Sequence, residues 1–276
     1  MTSSRRLAAL LALAGAIASP RGARAEGRPI QDNSFLIEEA YNQEAGVIQH
    51  INTFARTRGG AWGYSFTEEW PVLGQTHQAS VTFTAAGPEG ASAGVGDLAL
   101  NYRLQAIGNG ETRVALSPRL TVLVPTGDSA RGLGSGGTGL QLNVPLSVVL
   151  LDRLVTHVNV GATYVPSARD GAGAKGSSAS FAAGESFIWL AHTNFNVMLE
   201  ALYTRTELSF GAGRQRTETF TVSPGLRTAI NFRSGLQIVP GIAVPIGVGP
   251  SAGERSVFLY LSFEHPFRAA GPTEQS

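Results

Sequence analysis

Gly139-Leu140-Gln141-Leu142-Asn143-Val144-Pro145-Leu146-Ser147-Val148 sets an aliphatic residue at every second position, with polar or small residues between. A strand projects successive side chains to opposite faces, so this stretch is a sheet wall, apolar on one side and polar on the other. The same period runs outward in both directions. Upstream, Leu116, Leu120, Val122 and Val124 lie opposite Ser117, Arg119 and Thr121, and Leu98, Leu100, Tyr102 and Leu104 lie opposite Asn101, Arg103 and Gln105. His77, Ala79, Val81 and Phe83 oppose Gln78, Ser80, Thr82 and Thr84; Trp62, Tyr64, Phe66 and Trp70 alternate with Gly63, Ser65 and Thr67. Downstream, Val158, Val160, Ala162 and Tyr164 face away from His157, Asn159 and Thr163, and Phe195, Val197, Leu199, Ala201 and Tyr203 oppose Asn196, Met198 and Glu200. Phe220, Val222, Leu226 and Ile230 oppose Thr221, Ser223 and Arg227; Leu236, Ile238, Ile242, Val244 and Ile246 oppose Gln237, Gly241 and Ala243. Finally, Val257, Leu259, Leu261, Phe263 and Phe267 oppose Ser256, Ser262 and Glu264. Phe181–Leu190 is the least regular member, with Phe187 and Trp189 on one face and Ile188 and Leu190 on the other.

With a weaker first strand near Val47–Arg56, the count reaches about twelve, and an even number suits a bacterial transmembrane β-barrel. The expected fold is all-β: a transmembrane antiparallel up-and-down β-barrel over residues 47–267, with a tail at 268–276. The gaps give a second argument, because periplasmic turns are short and extracellular loops longer. Gaps near Pro71–Gly74, Ile107–Glu111, Leu151–Arg153, His192–Asn194 and Arg233–Gly235 read as tight. Those at Ala85–Ala93, Pro125–Gly137, Pro166–Ser178, Ser209–Arg216 and Gly247–Glu254 read as external loops; Thr57–Gly60 is a short external one. Pro118, Pro145, Pro224, Pro240 and Pro245 fall inside strand patterns, where each removes a ladder donor, so bulges are expected there.

Composition agrees with this reading. Only 15% of the 276 residues are charged, and there are 34 glycines. No run of about 18 apolar residues exists, which argues against a spanning helix. Leu7–Ala18 is shorter, follows Arg5 and Arg6, and precedes Ala23-Arg24-Ala25, which makes residues 1–25 a secretory signal peptide. Arg5-Arg6 suggests the twin-arginine route, but Ala8 and Ala9 follow where a bulkier apolar pair is preferred, so general secretion is the reading adopted. Removing the leader takes four of the 21 basic residues and no acid, leaving 17 basic against 20 acidic residues, a net charge of −3. That balance gives a nucleic-acid partner no basic surface. Cysteine is absent, which excludes disulfides, thiolate metal sites and thiol nucleophiles.

Residues 26–46 stand apart as a periplasmic segment. Leu36 with Ala40 and Ile37 with Tyr41 make i,i+4 pairs that suit a short amphipathic helix. The alternatives are a mobile tail or a segment folded back to plug the periplasmic mouth.

Few motifs carry chemistry. Gly132-Leu133-Gly134-Ser135-Gly136-Gly137 satisfies G-x-G-x-x-G, but a strand follows where a dinucleotide site needs a helix; it reads as a flexible external loop. The histidines lack metal-ligand spacing, and no metal or cofactor is expected. His77 and His265 sit near strand ends, as interfacial residues do. Ser147, His157 and Asn159 share one face and leave open a hydrolase in the barrel wall, although no G-x-S-x-G elbow occurs; a non-enzyme is the main expectation. The inward face supplies the candidate lumen-lining residues: Asn101, Arg103, Arg119, Gln141, Asn143, His157, Asn159, Glu200, Arg227, Gln237 and Glu264. Charge inside a membrane protein is costly unless hydrated or paired, so these residues line a wet pore or lock a closed interior. Trp62, Tyr64, Trp70, Tyr102, Tyr164, Trp189, Tyr203 and Tyr260 are placed for aromatic belts at the two interfaces. Phe258–Phe267 is similar to the terminal strand read by barrel-assembly machinery.

Several stretches resemble the outer-membrane family named for a putative MetA pathway of phenol degradation. They are Ile37–Val47 with Gln49-His50, Gly94–Arg103, Ser117–Leu120 leading to Pro125–Asp128, and Gly139–Ser147. The resemblance implies a transporter-like barrel in the bacterial outer membrane, tied to uptake of aromatic or other hydrophobic compounds, and it brings no catalytic residues. The expected function is passive passage of small solutes, hydrophobic or aromatic ones included, with Arg103, Arg119, Glu200 and Arg227 setting selectivity. The alternative is a closed structural or envelope-interaction barrel. Expected partners are outer-membrane lipid and lipopolysaccharide, the assembly machinery, and an unidentified small solute.

Overall fold

The computed structural model describes residues 29–266; the signal peptide read at 1–25, Phe267 and the tail at 268–276 lie outside the described residues. Twelve antiparallel strands close on themselves. They are β1 Val47–Thr57, β2 Trp62–Val72, β3 His77–Gly87, β4 Leu98–Leu104 after a short piece at Gly94–Val95, and β5 Val114–Leu116 with Arg119–Val124. Next come β6 Gly139–Leu151, β7 Leu154–Arg169, β8 Lys175–His192, β9 Phe195–Phe210 and β10 Gly213–Thr228 with Ile230–Asn231. The last are β11 Gln237–Ala243 with Ile246–Gly247, and β12 Ser256–Pro266. Each strand pairs with its chain neighbours. Closure comes from β12 on β1, in register from Val47 opposite Pro266 to Thr57 opposite Ser256. Among the described residues no edge strand is left to pair with another chain.

The alternation translates directly into sidedness. On β6, Leu140 and Leu142 are 56% and 51% exposed while Ser147 is 1% exposed. The same holds on β9, where Leu199 faces out at 49% and Glu200 is sealed inside at 0%. Leu100, Leu120, Val160, Phe181, Phe187, Leu226, Val257 and Leu259 extend an apolar outer band around the barrel. An apolar exterior over a polar interior is the reverse of a water-soluble sheet protein, and it fits a wall solvated by lipid.

Several expectations need correction. The external gaps at Pro166–Ser178 and Ser209–Arg216 are largely strand. β7, β9 and β10 have 16 residues each and β8 has 18, beyond the roughly 9–11 that cross a bilayer. β9 and β10 meet across residues 211–212 alone, where Gly211 takes φ +57°. These segments look like loops in sequence because above the lipid neither face has to be apolar. Conversely, the Ile107–Glu111 gap belongs to a wide connection between β4 and β5, closed by a bridge from Ile107 to Leu116. The prolines do not coincide with register shifts, which fall near Leu151, Ser178 and His192. Pro118 and Pro245 instead interrupt their strands, while Pro145, Pro224 and Pro240 sit within them.

Tyr260 is not part of an aromatic belt. It shares parity with Ser262 and Glu264, is 6% exposed, and lies inside the barrel. Tyr102, Tyr164 and Trp189 do face outward. The glycine-rich stretch at 132–137 forms an external loop pinned by Asp97, whose carboxylate accepts from the Gly127 and Ser135 amides at 3.0 and 2.7 Å.

The short helix suggested within residues 26–46 is not formed in the described part. Residues 35–37 are bends and no α-helix occurs among the described residues. An extended chain exposes its N–H groups sideways, and here the barrel wall takes them up.

Candidate functional site: the occupied lumen

Residues 29–46 run through the barrel interior and are held mainly by side chains of the wall. Glu200 on β9 is the principal anchor. Its Oε1 accepts the consecutive amides of Phe35, Leu36 and Ile37 at 3.0, 2.7 and 3.1 Å. Successive N–H groups converging on one anion form a nest, and hydrogen bonds to an ionised acceptor are stronger than neutral ones. Further along, Glu38 N donates to Asn159 Oδ1 at 2.8 Å, Ala40 N to Ser147 Oγ at 2.7 Å and Asn42 N to Gln105 Oε1 at 2.9 Å. Gln43 N donates to Gln78 Oε1 at 2.7 Å. At most positions from Phe35 to Gln43 the wall thus supplies the acceptors that a helix or sheet would otherwise provide.

The carbonyls are satisfied by donors from the other side chains. Arg103 on β4 donates to the Tyr41 carbonyl at 2.6 Å, the Glu39 carbonyl at 3.3 Å and Asn42 Oδ1 at 3.0 Å. Asn196 reaches the Gln31 carbonyl at 2.8 Å, and Asn159 the Glu38 carbonyl at 2.8 Å. Arg227 on β10 bonds the Asn33 carbonyl and lies 5.2 Å from the centre of the Tyr260 ring. Arg119 on β5 grips the Glu38 carboxylate with two nitrogens, one of them 3.0 Å from Oε2, and also binds Asn101, Thr121 and Gln141.

Shape complements these bonds. A methyl group added at Gly225 or Gly241 would come within 2.8 or 2.6 Å of the Phe35 ring. The two glycines therefore hollow the wall where Phe35 seats against Phe258 and Tyr260, with ring centroids 5.4 and 5.2 Å away. Gly184 makes the same allowance for Ile37.

The sequence-derived lumen candidates divide by what they touch. Arg103, Arg119, His157, Asn159, Glu200 and Arg227 contact the segment directly. Asn101 and Gln141 orient Arg119, and Asn143 bonds Asn159 at 3.2 Å. Gln237 and Glu264 lie apart from that group: Gln237 bonds Asn231, and Glu264 accepts from Gln49. Sequence reading passed over Gln49, Gln78, Gln105, Ser186 and Glu69. Glu69 continues the Gly63, Ser65, Thr67 parity, so that signal was present. The glutamines offered none beyond their parity.

Ser147 and His157 meet at 2.7 Å, but they do not form a relay with Asn159. The second His157 nitrogen faces the Asp32 carbonyl at 2.9 Å, the Asn159 amide is spent on Glu38, and both Ser147 and His157 are buried beneath the segment.

Space remains beside the segment. A cavity of about 370 Å³ lies between it and the walls of β1–β6 and β12, and a second of about 170 Å³ lies toward β6–β9. A third, of about 470 Å³, is lined by Ile30, Asp32, Tyr41 and the wall residues around Gln75 and Asp152, at the end where the short turns lie.

No family model matches the sequence, and no curated protein does. Solved structures do share its architecture. An outer membrane channel from Pseudomonas putida F1 superposes with a TM-score of 0.60 at 16% identity, covering 86% of this chain and 99% of that one. The chain has the fold of an outer-membrane β-barrel. The NanC porin gives a TM-score of 0.55 at 10% identity, with 78% of this chain and 98% of that chain covered. At these identities the likeness is one of fold, and the apolar outer band is what fits this barrel to a membrane.

Burial raises the pKa of Glu38, but the opposing pull of Arg119 and Arg103 outweighs it, and the carboxyl is held below its ordinary range. A lowered folded value means that the stabilisation is present above the ordinary carboxylate range and is lost as pH falls through the lowered value. The Glu38–Arg119 contact should therefore hold at neutral and mildly acid pH and give way only in stronger acid. Single-channel recording across an acid titration checks this; a change in gating confined to the neutral region would contradict it.

Proposed function

We propose that the protein is a passive outer-membrane channel whose pore is occupied by its own N-terminal segment, and that small solutes pass when the segment shifts. The observation that carries this reading is the mode of attachment. The segment is held in a polar lumen largely through side chains, with one backbone bond to the wall, from Ile30 N to the Thr193 carbonyl at 2.9 Å. Its release therefore leaves every barrel ladder intact. A purely structural core would gain more from apolar packing, because burying charges is repaid only by excellent geometry.

The cavity beside the segment combines hydroxyls and charges with Leu36, Ile51, Leu123 and Tyr260. That lining favours solutes with an apolar body and a polar group, and it supports the aromatic compounds suggested by the family resemblance better than it supports pure hydrocarbons. The narrower family assignment rests on the stretches quoted above.

The closed-barrel alternative draws on the engagement of Arg103, Arg119 and Glu200 by the segment. Arg119→Ala separates the two. In a channel, removing this cation leaves Glu38 uncompensated and shifts the reversal potential in a salt gradient toward cation preference. In a closed barrel the main effect is a lower unfolding temperature with no conductance to alter. Liposome swelling with the purified protein tests passage of the solutes themselves.

A further inference from the structure

The polar groups of the larger cavity are not equally committed. Arg119 directs its nitrogens to Glu38, Asn101, Thr121 and Gln141. Arg103 directs its own to the segment. Besides the Asn33 amide oxygen, one further acceptor is left over in this lining, on Glu69 of the inward face of β2. Its Oε2 is buried and receives no hydrogen bond; the nearest cation, Arg103 Nη2, stands 3.9 Å away with its donors aimed elsewhere. Leaving a buried charged acceptor without a donor is costly, so this oxygen is set to receive one.

The rest of the lining points the same way. Three carboxyls, of Glu38, Glu39 and Glu69, face the two guanidinium groups of Arg103 and Arg119 around the cavity. Hydroxyls line the same cavity in pairs, Thr53 with Ser65 at 2.6 Å and Thr67 with Thr82 at 2.9 Å. Ile51, Leu123 and Tyr260 supply apolar surface within the same space. An entering anion would find both guanidinium groups already engaged, whereas an entering ammonium group would find an acceptor without a donor.

From this juxtaposition we infer that the cavity of about 370 Å³ is a binding site for a small organic ammonium compound with an apolar body, its N–H groups donating to Glu69. The inference rests on the channel reading for the route by which a solute arrives, but binding at equilibrium needs no flux. A barrel that binds the ligand and passes nothing would overturn the channel and leave the site standing.

The test is calorimetric titration of the full-chain protein in detergent with three probes of one shape: 2-phenylethylamine, 2-phenylethanol and phenylacetate. The amine should bind at least about tenfold more tightly than phenylacetate, with the alcohol between them, a gap of about 1.4 kcal/mol. Glu69→Gln should bring the amine down to the level of the alcohol while the protein keeps its folded gel mobility. If that variant does not fold, Ser65→Leu, which narrows the cavity and keeps the carboxylate, should weaken the amine. Equal or tighter binding of phenylacetate, an amine preference that survives Glu69→Gln, amine binding undiminished by Ser65→Leu, or no binding of any probe would overturn the inference.

Discussion

A barrel lacking Glu26–Glu44 should show single-channel conductance several-fold above that of the full chain in planar-bilayer recording. The segment fills the lumen between cavities of about 370 and 170 Å³, and its removal merges them. Barrels of about eight strands are filled by their own side chains, whereas those of about sixteen leave an aqueous channel. A twelve-stranded wall with its insert removed should lie between these limits. The deletion stops before Val47, where β1 begins its ladder with β12, so closure of the barrel is untouched. Arg103, Arg119, Glu200 and Arg227 would lose their partners in the segment but gain water, and a hydrated charge costs far less than a buried orphan. Equal conductance for the two proteins would mean that ions do not travel through this lumen, and the channel reading would fail.

Glu200→Ala should free the segment without deleting it. One carboxylate oxygen holds three consecutive amides, and a buried donor left without a partner costs about 1–3 kcal/mol. Even with water entering to compensate, a net loss on the order of 3 kcal/mol raises the released population roughly a hundredfold. Digestion with a glutamate-specific protease reads this directly, because Glu38 and Glu39 are shielded while the segment is seated. The variant should be cut there far faster than the natural protein, and Glu200→Gln should fall between, since its amide oxygen still accepts but carries no charge. Cleavage at the same rate in all three would show that Glu200 is not the anchor.

The deletion and the substitution draw on different levels of organisation, and they differ in how readable they were. The inward placement of Glu200 followed from parity with Asn196 and Met198, a matter of neighbours in the chain. What Glu200 binds did not follow, because Ile37 lies 163 residues away. The i,i+4 pairs around Leu36 and Ile37 favoured a short helix, yet the wall offered each amide an acceptor and the helix lost. The polar strand extension at Arg214–Arg216 reads as loop for a related reason. Alternation reports the lipid, and it fades where the sheet leaves the membrane although the ladder continues. Tyr260 shows the converse, since its parity already placed it inside and only its aromatic character suggested a belt.

The sequence alone determined the closed sheet, its sidedness and its polar interior, because a period of two depends only on adjacent residues and on which face meets lipid. Tertiary structure decided what fills that interior. Gly225 and Gly241 become a socket only when Phe35 arrives. Glu200 becomes an anchor only when three amides converge on it, and Glu69 becomes an open acceptor only once Arg103 has been drawn away to the segment. These are contacts between elements far apart in the chain, fixed by closure of the barrel around its own N-terminal residues, and no local pattern encodes them.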